Sequence, residues 1–160
     1  MSFQKRQKLY LAAPLFNPIE REFNEVLAIR LLKFFDVFLP QRDGGLMANM
    51  IQEGIHPSNA ARSVFLRDIH ALKNSDVLLI VLDGRTVDEG AAFELGYSHA
   101  LQKACYALQT DTRRLLPTGN NPMIEGACEK IFNTADDLIE WAAGELLPEP
   151  IRNSAEDYCK

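Results

Sequence analysis

One continuous apolar run constrains the fold of this chain more than any other feature. Residues 76–82 read D-V-L-L-I-V-L, and every position after Asp76 is apolar. Because successive side chains of a strand point to opposite faces, such a run predicts a strand that is buried on both faces. A strand of this kind belongs at the centre of a parallel sheet, so the chain must supply flanking strands and helices for both faces.

The rest of the sequence meets this requirement, since strand-like and helical segments alternate along it. Strands are predicted at residues 8–13, 36–40, 76–82, 104–109 and 130–133, and helices at 20–35, 58–74, 89–102 and 135–147. Ser58 and Thr134 are predicted helix N-caps, and a short helix is predicted at residues 46–52. We expect a single α/β domain of 160 residues, with residues 148–160 as a poorly ordered tail.

Composition and charge exclude several classes of function. The formal net charge is −5, which argues against a nucleic-acid polymer as partner. No apolar stretch approaches the roughly 18 residues of a membrane span, and no signal-peptide core follows the basic N-terminal residues. The three cysteines are widely spaced, and no histidine, cysteine and aspartate cluster suggests a metal site. We expect a cytoplasmic protein without metal or cofactor.

The predicted topology also locates the site. Ligands of open parallel sheets bind beyond the carboxyl ends of the strands, which here are followed by the loops 14–18, 41–45, 83–88 and 110–122. The segment 83–97, D-G-R-T-V-D-E-G-A-A-F-E-L-G-Y, begins at the end of the central strand and continues into a helix. Gly90 in this segment allows other groups to approach the backbone closely.

Three acidic residues are candidates for chemistry, and each has a plainer interpretation. Glu94 lies among small and apolar residues, where a carboxylate is costly unless it acts or pairs with a buried Arg or Lys. Asp88 lies at a helix start, where it can serve as a cap only. Asp68 lies beside the face marked by Leu66, Ile69 and Leu72, and the pattern alone favours a solvated position for it.

Four segments in order resemble the nucleoside 2-deoxyribosyltransferase family. They are L-Y-L-A-A-P-L-F-N-P, R-D-I-H-A-L-K-N-S-D, D-E-G-A-A-F-E-L-G-Y and N-P-M-I-E-G, and the resemblance covers residues 9–141. It implies a flavodoxin-like three-layer sandwich with a five-stranded parallel sheet. It also implies exchange of the base of a 2′-deoxynucleoside, with free nucleobases as acceptors, in a homo-oligomer whose subunits share active sites.

The resemblance assigns roles residue by residue. Glu94 matches the nucleophile, Asp68 and Asp88 match the two active-site aspartates, and Tyr10 matches a tyrosine that hydrogen-bonds near the nucleophile. Which aspartate protonates the leaving base is left open.

The resemblance further implies a set of substrate-binding residues. Phe16 would pack near the sugar or base, and Gly90 would let the substrate approach the backbone. Asn121, with Met123 beside it, would bind the sugar 5′-hydroxyl from a neighbouring subunit. Gln41 and Asp43 are weaker candidates for contact with the base, because this loop departs from the family pattern.

Two rival functions remain open. A deoxynucleoside 5′-monophosphate N-glycosidase would need a phosphate site, which the uncharged first loop P-L-F-N-P does not offer but Arg113 and Arg114 could supply. A non-catalytic nucleotide-binding module on the same sheet is the more distant alternative.

Overall fold

The computed structural model describes residues 6–113 and 119–146. Its core is a parallel five-stranded sheet in the order β2-β1-β3-β4-β5, which is the flavodoxin-like order. The strands are β1 (Lys8–Ala12), β2 (Asp36–Phe38), β3 (Val77–Val81), β4 (Ala104–Leu108) and β5 (Lys130–Phe132). All five residues of β3 are buried and β3 is the central strand, which confirms the prediction from its apolar run.

Helices cover both faces of the sheet and complete the three layers. They are α1 (Pro18–Leu31), α2 (Met47–Gln52), α3 (Pro57–Asn74), α4 (Glu89–Ala100), α5 (Pro122–Ala127) and α6 (Ala135–Leu146). Side chains of α1 and α6 pack on one face with Leu9 and Leu11 of β1. Side chains of α3, α4 and α5 pack on the other face with Tyr10 and Ala12 of the same strand. The alternation along β1 therefore separates the two layers of core.

The helix starts show which local signals the chain uses. Thr134 Oγ1 accepts a hydrogen bond from the Asp137 backbone N–H at 3.0 Å, which confirms the predicted cap of α6. The predicted cap of α3 was wrong, because His56 rather than Ser58 occupies the N-cap. The reason is Pro57, whose fixed φ and missing N–H suit the first helical position and move the cap to the preceding residue.

The connection after β2 begins with a π-helical turn, Pro40–Gly44, which the sequence analysis missed. This turn folds back onto the outer edge of the sheet. Arg42 Nη2 donates to the Val37 carbonyl at 3.0 Å, and the Leu39 N–H donates to Asp43 Oδ2 at 2.8 Å. The predicted helix α2 follows at Met47–Gln52 and is confirmed. Side chains thus satisfy backbone groups that an edge strand otherwise leaves open.

Some predictions concern residues that lie outside the described ranges. They include the expected poorly ordered tail, residues 148–160, and Arg114 in the loop before α5. The short helix α5 lies inside the described part but was not predicted. Among residues 6–113 and 119–146, no helix combines the length and the apolar character that crossing a membrane requires.

Candidate active site

Glu94 lies on α4 with its carboxyl group turned toward the sheet. The hydroxyl of Tyr10, a fully buried residue of β1, donates a hydrogen bond to Glu94 Oε1 at 2.5 Å. Among the described residues, no Arg or Lys forms an ion pair with Glu94. The interpretation of Glu94 as half of a buried ion pair is therefore not supported.

The surroundings of Glu94 favour the protonated form of its carboxyl group. Burial raises the pKa of Glu94 to about 8, and the negative charges of Asp68 and Asp88 add to this rise. The hydrogen bond from Tyr10 acts in the opposite direction and favours the carboxylate. Burial, followed by the nearby charge of Glu94, raises the pKa of Tyr10, so the phenol remains a donor.

Asp68 on α3 is half-buried and turned toward the same place. Its Oδ1 atom is inaccessible to water and has no hydrogen-bond partner among the described residues. Burial raises the pKa of Asp68 to about 6, against the opposing charge of Arg67. A buried oxygen without a partner is costly unless a ligand or a proton satisfies it.

The expected orientation of α3 needs correction, because Leu66 is 52% exposed whereas Asp68 turns inward. Asp68 shares the inner face of α3 with Leu72, four residues later, which is fully buried. The backbone of Gly44 makes room for this arrangement, since a Cβ atom there would lie 2.7 Å from Asp68 Oδ1. Arg67 Nη1 donates to the Gly44 carbonyl at 3.2 Å and helps to hold the loop in place.

Asp88 caps α4 and also lies close enough to Glu94 to act on its carboxyl group. Its Oδ2 accepts a hydrogen bond from the Ala91 N–H at 2.7 Å, so it is the N-cap of α4. Its charge also reaches Glu94 and contributes to the raised pKa of that carboxyl group. Gly90 leaves space beside it, since a Cβ atom at position 90 would lie 3.1 Å from Asp88 Oδ2.

Two neighbouring pockets open at these acids. The acid pocket has a volume of about 300 Å³ and is lined by Asp68, Glu94, Gly90, Phe65 and Phe93 together with Ile69 and Leu72. The loop pocket has a volume of about 390 Å³, and its lining includes Phe16, Arg85 and Asp88. The described part of the chain brings no group of three or more His, Cys, Asp and Glu side chains together in a way that could hold a metal ion.

Phe65 and Phe93 are pocket residues that the sequence analysis missed. Their ring centroids are 6.5 Å apart, and Phe93 also stacks on Tyr97. Their spacing offered a signal, because Phe65 precedes Asp68 by one helical turn and Phe93 directly precedes Glu94.

Comparison with known protein families identifies the family of this chain. A family model described as nucleoside 2-deoxyribosyltransferase matches residues 9–139, which is most of the chain. The chain belongs to this family. Comparison with curated proteins gave no match.

Solved structures show the same fold. A conserved protein from Enterococcus faecalis V583 is similar at 24% identity and a TM-score of 0.72, over 89% of this chain and 100% of that one. A 2-deoxyribosyltransferase from Bacillus psychrosaccharolyticus is similar at 24% identity and a TM-score of 0.68, over 82% and 90%. A CMP N-glycosidase from Clostridium botulinum has 16% identity and a TM-score of 0.54, over 84% and 97%.

The remaining residues assigned from the resemblance, Phe16, Asn121 and Met123, do not line the acid pocket. Phe16 lines the loop pocket and is 73% exposed. Asn121 is the N-cap of α5, where its Oδ1 accepts from the Met123 N–H at 2.9 Å, and Met123 is 81% exposed. Neither Asn121 nor Met123 lines the acid pocket or the loop pocket within one subunit.

The weaker candidates for contact with the base, Gln41 and Asp43, form hydrogen bonds within the chain. Gln41 Oε1 accepts from Asn24, while Gln41 Nε2 donates to the Arg21 carbonyl at 2.9 Å and to Glu25 at 3.1 Å. Asp43 binds the Leu39 N–H and Arg42 at the sheet edge, as described above. Their side chains hold the loop after β2 together.

Proposed function

We propose that this protein exchanges the base of a 2′-deoxynucleoside through a covalent deoxyribosyl intermediate on Glu94. The observation that carries the proposal is the contact of Glu94 with Tyr10 in a pocket that also contains Asp68. A carboxylate nucleophile held by a donor, with other carboxyl groups close by, is the arrangement that retaining cleavage of a glycosidic bond requires.

The first step forms one bond and breaks another at the anomeric carbon. A Glu94 carboxylate oxygen attacks C1′ while the C1′–N bond breaks, and its electron pair leaves with the base, which takes up a proton. A second base then attacks C1′ from the vacated side and gives its ring N–H proton back to the acid, while the bond to Glu94 breaks and restores the carboxylate. Two inversions give net retention.

Glu94 must be ionised to attack, although its surroundings raise its pKa. Tyr10 is the group that favours the carboxylate, because it donates to Oε1 and its own pKa is raised. We assign to Tyr10 the role of orienting Glu94 and keeping a reactive fraction of it ionised.

Asp68 and Asp88 are the candidate proton donors. Asp68 has a raised pKa and an unpartnered buried Oδ1, which suits a group that carries a proton near neutral pH. Asp88 Oδ2 accepts a hydrogen bond from the first turn of α4, and the Asp88 side chain lines the loop pocket. The raised pKa of Asp68 therefore favours it as the acid, whereas the position of Asp88 in the loop pocket favours Asp88.

A nucleoside is preferred over a nucleotide as donor. The first loop carries no cation, and Arg113 is engaged through its side chain by the carboxylate of Asp111. A phosphate site would have to be built from other groups. The similarity to a CMP N-glycosidase concerns the fold, so cleavage of a monophosphate is kept as an outcome of the test.

The test is a chromatographic assay with thymidine or deoxyinosine as donor and adenine or cytosine as acceptor. We expect the new deoxynucleoside from the wild type, none from Glu94→Gln, and a normal yield from Glu140→Gln, a control on an exposed position of α6. Base release from a deoxynucleoside monophosphate without exchange would favour the N-glycosidase. Absence of any reaction would favour a non-catalytic module.

We further propose that Asn121 of a neighbouring subunit completes each site, since it lines neither pocket of its own chain. The test mixes two inactive variants, Glu94→Gln and Asn121→Ala. If sites are shared, mixed oligomers contain sites with both native residues, and activity returns on mixing. If each site is built from one chain, the mixture stays as inactive as its components.

A further inference from the structure

The loop pocket contains a cation, Arg85, that has no role in the proposed exchange at Glu94. Its charged side chains are Glu20, Asp83, Asp88, Glu89 and Arg85, so Arg85 is the single positive charge among its lining residues. The pocket also contains the exposed ring of Phe16, and its volume of about 390 Å³ suits a small aromatic ligand.

Three of the four carboxylates have partners within the chain. Glu20 accepts from the Phe16 N–H at 2.8 Å, Asp83 accepts from the Asp111 N–H at 2.8 Å, and Asp88 accepts from the Ala91 N–H. Glu89 lies in the first turn of α4, where the helix dipole favours a negative charge.

Arg85 differs from these carboxylates. It is exposed, and its guanidinium forms no hydrogen bond or ion pair with any residue in the described ranges. A planar fork of donors is thus available at the mouth of a pocket that also offers an aromatic face.

We propose that Arg85 makes this enzyme prefer 6-oxopurines, such as hypoxanthine, to 6-aminopurines among the purine bases that it releases and accepts. The inference rests on the exchange activity proposed above. A nucleoside whose C1′ lies at Glu94 and whose base passes Asp88 places that base in the loop pocket, against Phe16. There, Arg85 donates to O6 and N7 of the purine, the two acceptors that an arginine fork fits best.

Adenine is the matched competitor, because it has the same ring but carries an amino group at position 6. That group is a hydrogen-bond donor and cannot pair with a guanidinium, which is a donor only. The positive charge of the guanidinium also stabilises the negative charge that develops on an oxopurine as it leaves, so the interaction strengthens in the transition state.

The test is an internal competition between hypoxanthine and adenine for one donor, thymidine. Both acceptors react with the same deoxyribosyl intermediate, so effects on the donor step cancel from the ratio of deoxyinosine to deoxyadenosine. We expect Arg85→Gln to lower this ratio by about fivefold or more, the discrimination that a bidentate pair provides. Arg30→Gln, at the other end of α1 from Phe16, should leave the ratio unchanged.

Several results would overturn the assignment. The assignment would be overturned if Arg85→Gln left the ratio of deoxyinosine to deoxyadenosine unchanged. It would also be overturned if Glu89→Gln, and not Arg85→Gln, changed that ratio. A defect of Arg85→Gln confined to monophosphate donors would make Arg85 a phosphate contact. Calorimetric binding of hypoxanthine and adenine keeps the inference testable even if no exchange is found. Loss of the preference for hypoxanthine in Arg85→Gln would then support it, and equal binding of both bases by the wild type would contradict it.

Discussion

The two faces of the sheet differ in the polarity of the side chains that cover them. The face covered by α1 and α6 is a continuous apolar cluster in which large side chains such as Leu31, Phe35 and Leu79 are buried. The face covered by α3, α4 and α5 is also apolar near the sheet, but it contains the phenol of Tyr10 and borders the carboxyl groups of Asp68 and Glu94. Adjacent residues of β1 thus belong to environments with opposite requirements.

This difference separates stability from chemistry. The α1 and α6 face gains free energy from burial, and the buried amide of Asn24 on α1 is satisfied by the Pro14 carbonyl and by Gln41. The other face includes a carboxyl group with a raised pKa and a buried oxygen without a partner, and both cost stability. Substitutions on the first face should therefore change the free energy of unfolding, and those on the second should change turnover.

The largest expected effect is that of Glu94→Gln. Turnover should fall by about a thousandfold or more, because the amide cannot form the proposed covalent intermediate. At high pH, the Glu94→Gln variant should nevertheless be more stable than the wild type. The folded pKa of about 8 exceeds the ordinary value of 4.5, so the contribution of Glu94 is full below pH 4.5 and is lost as the pH rises through 8.

Chemical denaturation of wild type and Glu94→Gln at pH 5 and pH 9 measures this effect. The free energy of unfolding of the variant minus that of the wild type should be about 1–3 kcal/mol larger at pH 9 than at pH 5. The same difference at both pH values would contradict the raised pKa and the view that this face sacrifices stability.

The next effect belongs to the opposite face. Leu11→Ala removes a fully buried side chain from the α1 and α6 cluster and should cost about 2–5 kcal/mol in the free energy of unfolding. Turnover per folded molecule should stay within twofold of the wild type. A large loss of turnover without loss of stability would show that the two faces are not separate in function.

Tyr10→Phe tests the residue next to Leu11 on the other face. Loss of the hydrogen bond to Oε1 removes the group that favours the Glu94 carboxylate, so the pKa of Glu94 should rise further. The acid limb of the pH profile of kcat should move up by about one unit, with roughly a tenfold loss at pH 7. Tyr106→Phe on β4, whose hydroxyl contacts exposed Glu129, is the matched control and should not move the profile.

The smallest effect should come from the ion pair between Arg30 and Asp136, which joins α1 to α6 at 2.6 Å. Both side chains are exposed, so Asp136→Asn should change the free energy of unfolding by no more than about 0.5 kcal/mol. A cost near that of Leu11→Ala would mean that charge, as well as apolar packing, stabilises this face.

The sequence predicted the features that burial imposes on a local pattern. β3 is apolar at every position because both of its faces are covered, and the order of strands and helices followed from the same periodicity. The contact between Tyr10 and Glu94 joins residues 84 positions apart, so no local pattern contains it, and the resemblance to a family was needed.

Features that depend on tertiary packing were not predictable. The rotation of α3 that turns Asp68 inward depends on the backbone of Gly44, a contact between distant segments. The π-helical turn Pro40–Gly44 overlaps a stretch whose glycines, Gly44 and Gly45, signalled only a loop. Asn121 was assigned by resemblance alone, and in the described part of the chain it lines neither the acid pocket nor the loop pocket, so its proposed role remains a prediction.

The π-helical turn after β2 also limits how copies of this protein can associate. Its arginine and aspartate occupy the Val37 carbonyl and the Leu39 N–H, which are the groups that an added strand would use. Sheet extension across this edge would first have to break those bonds. Assembly at this edge by strand addition, the route that leads to fibres, is therefore disfavoured, and a contact made here would involve side chains rather than the backbone of β2.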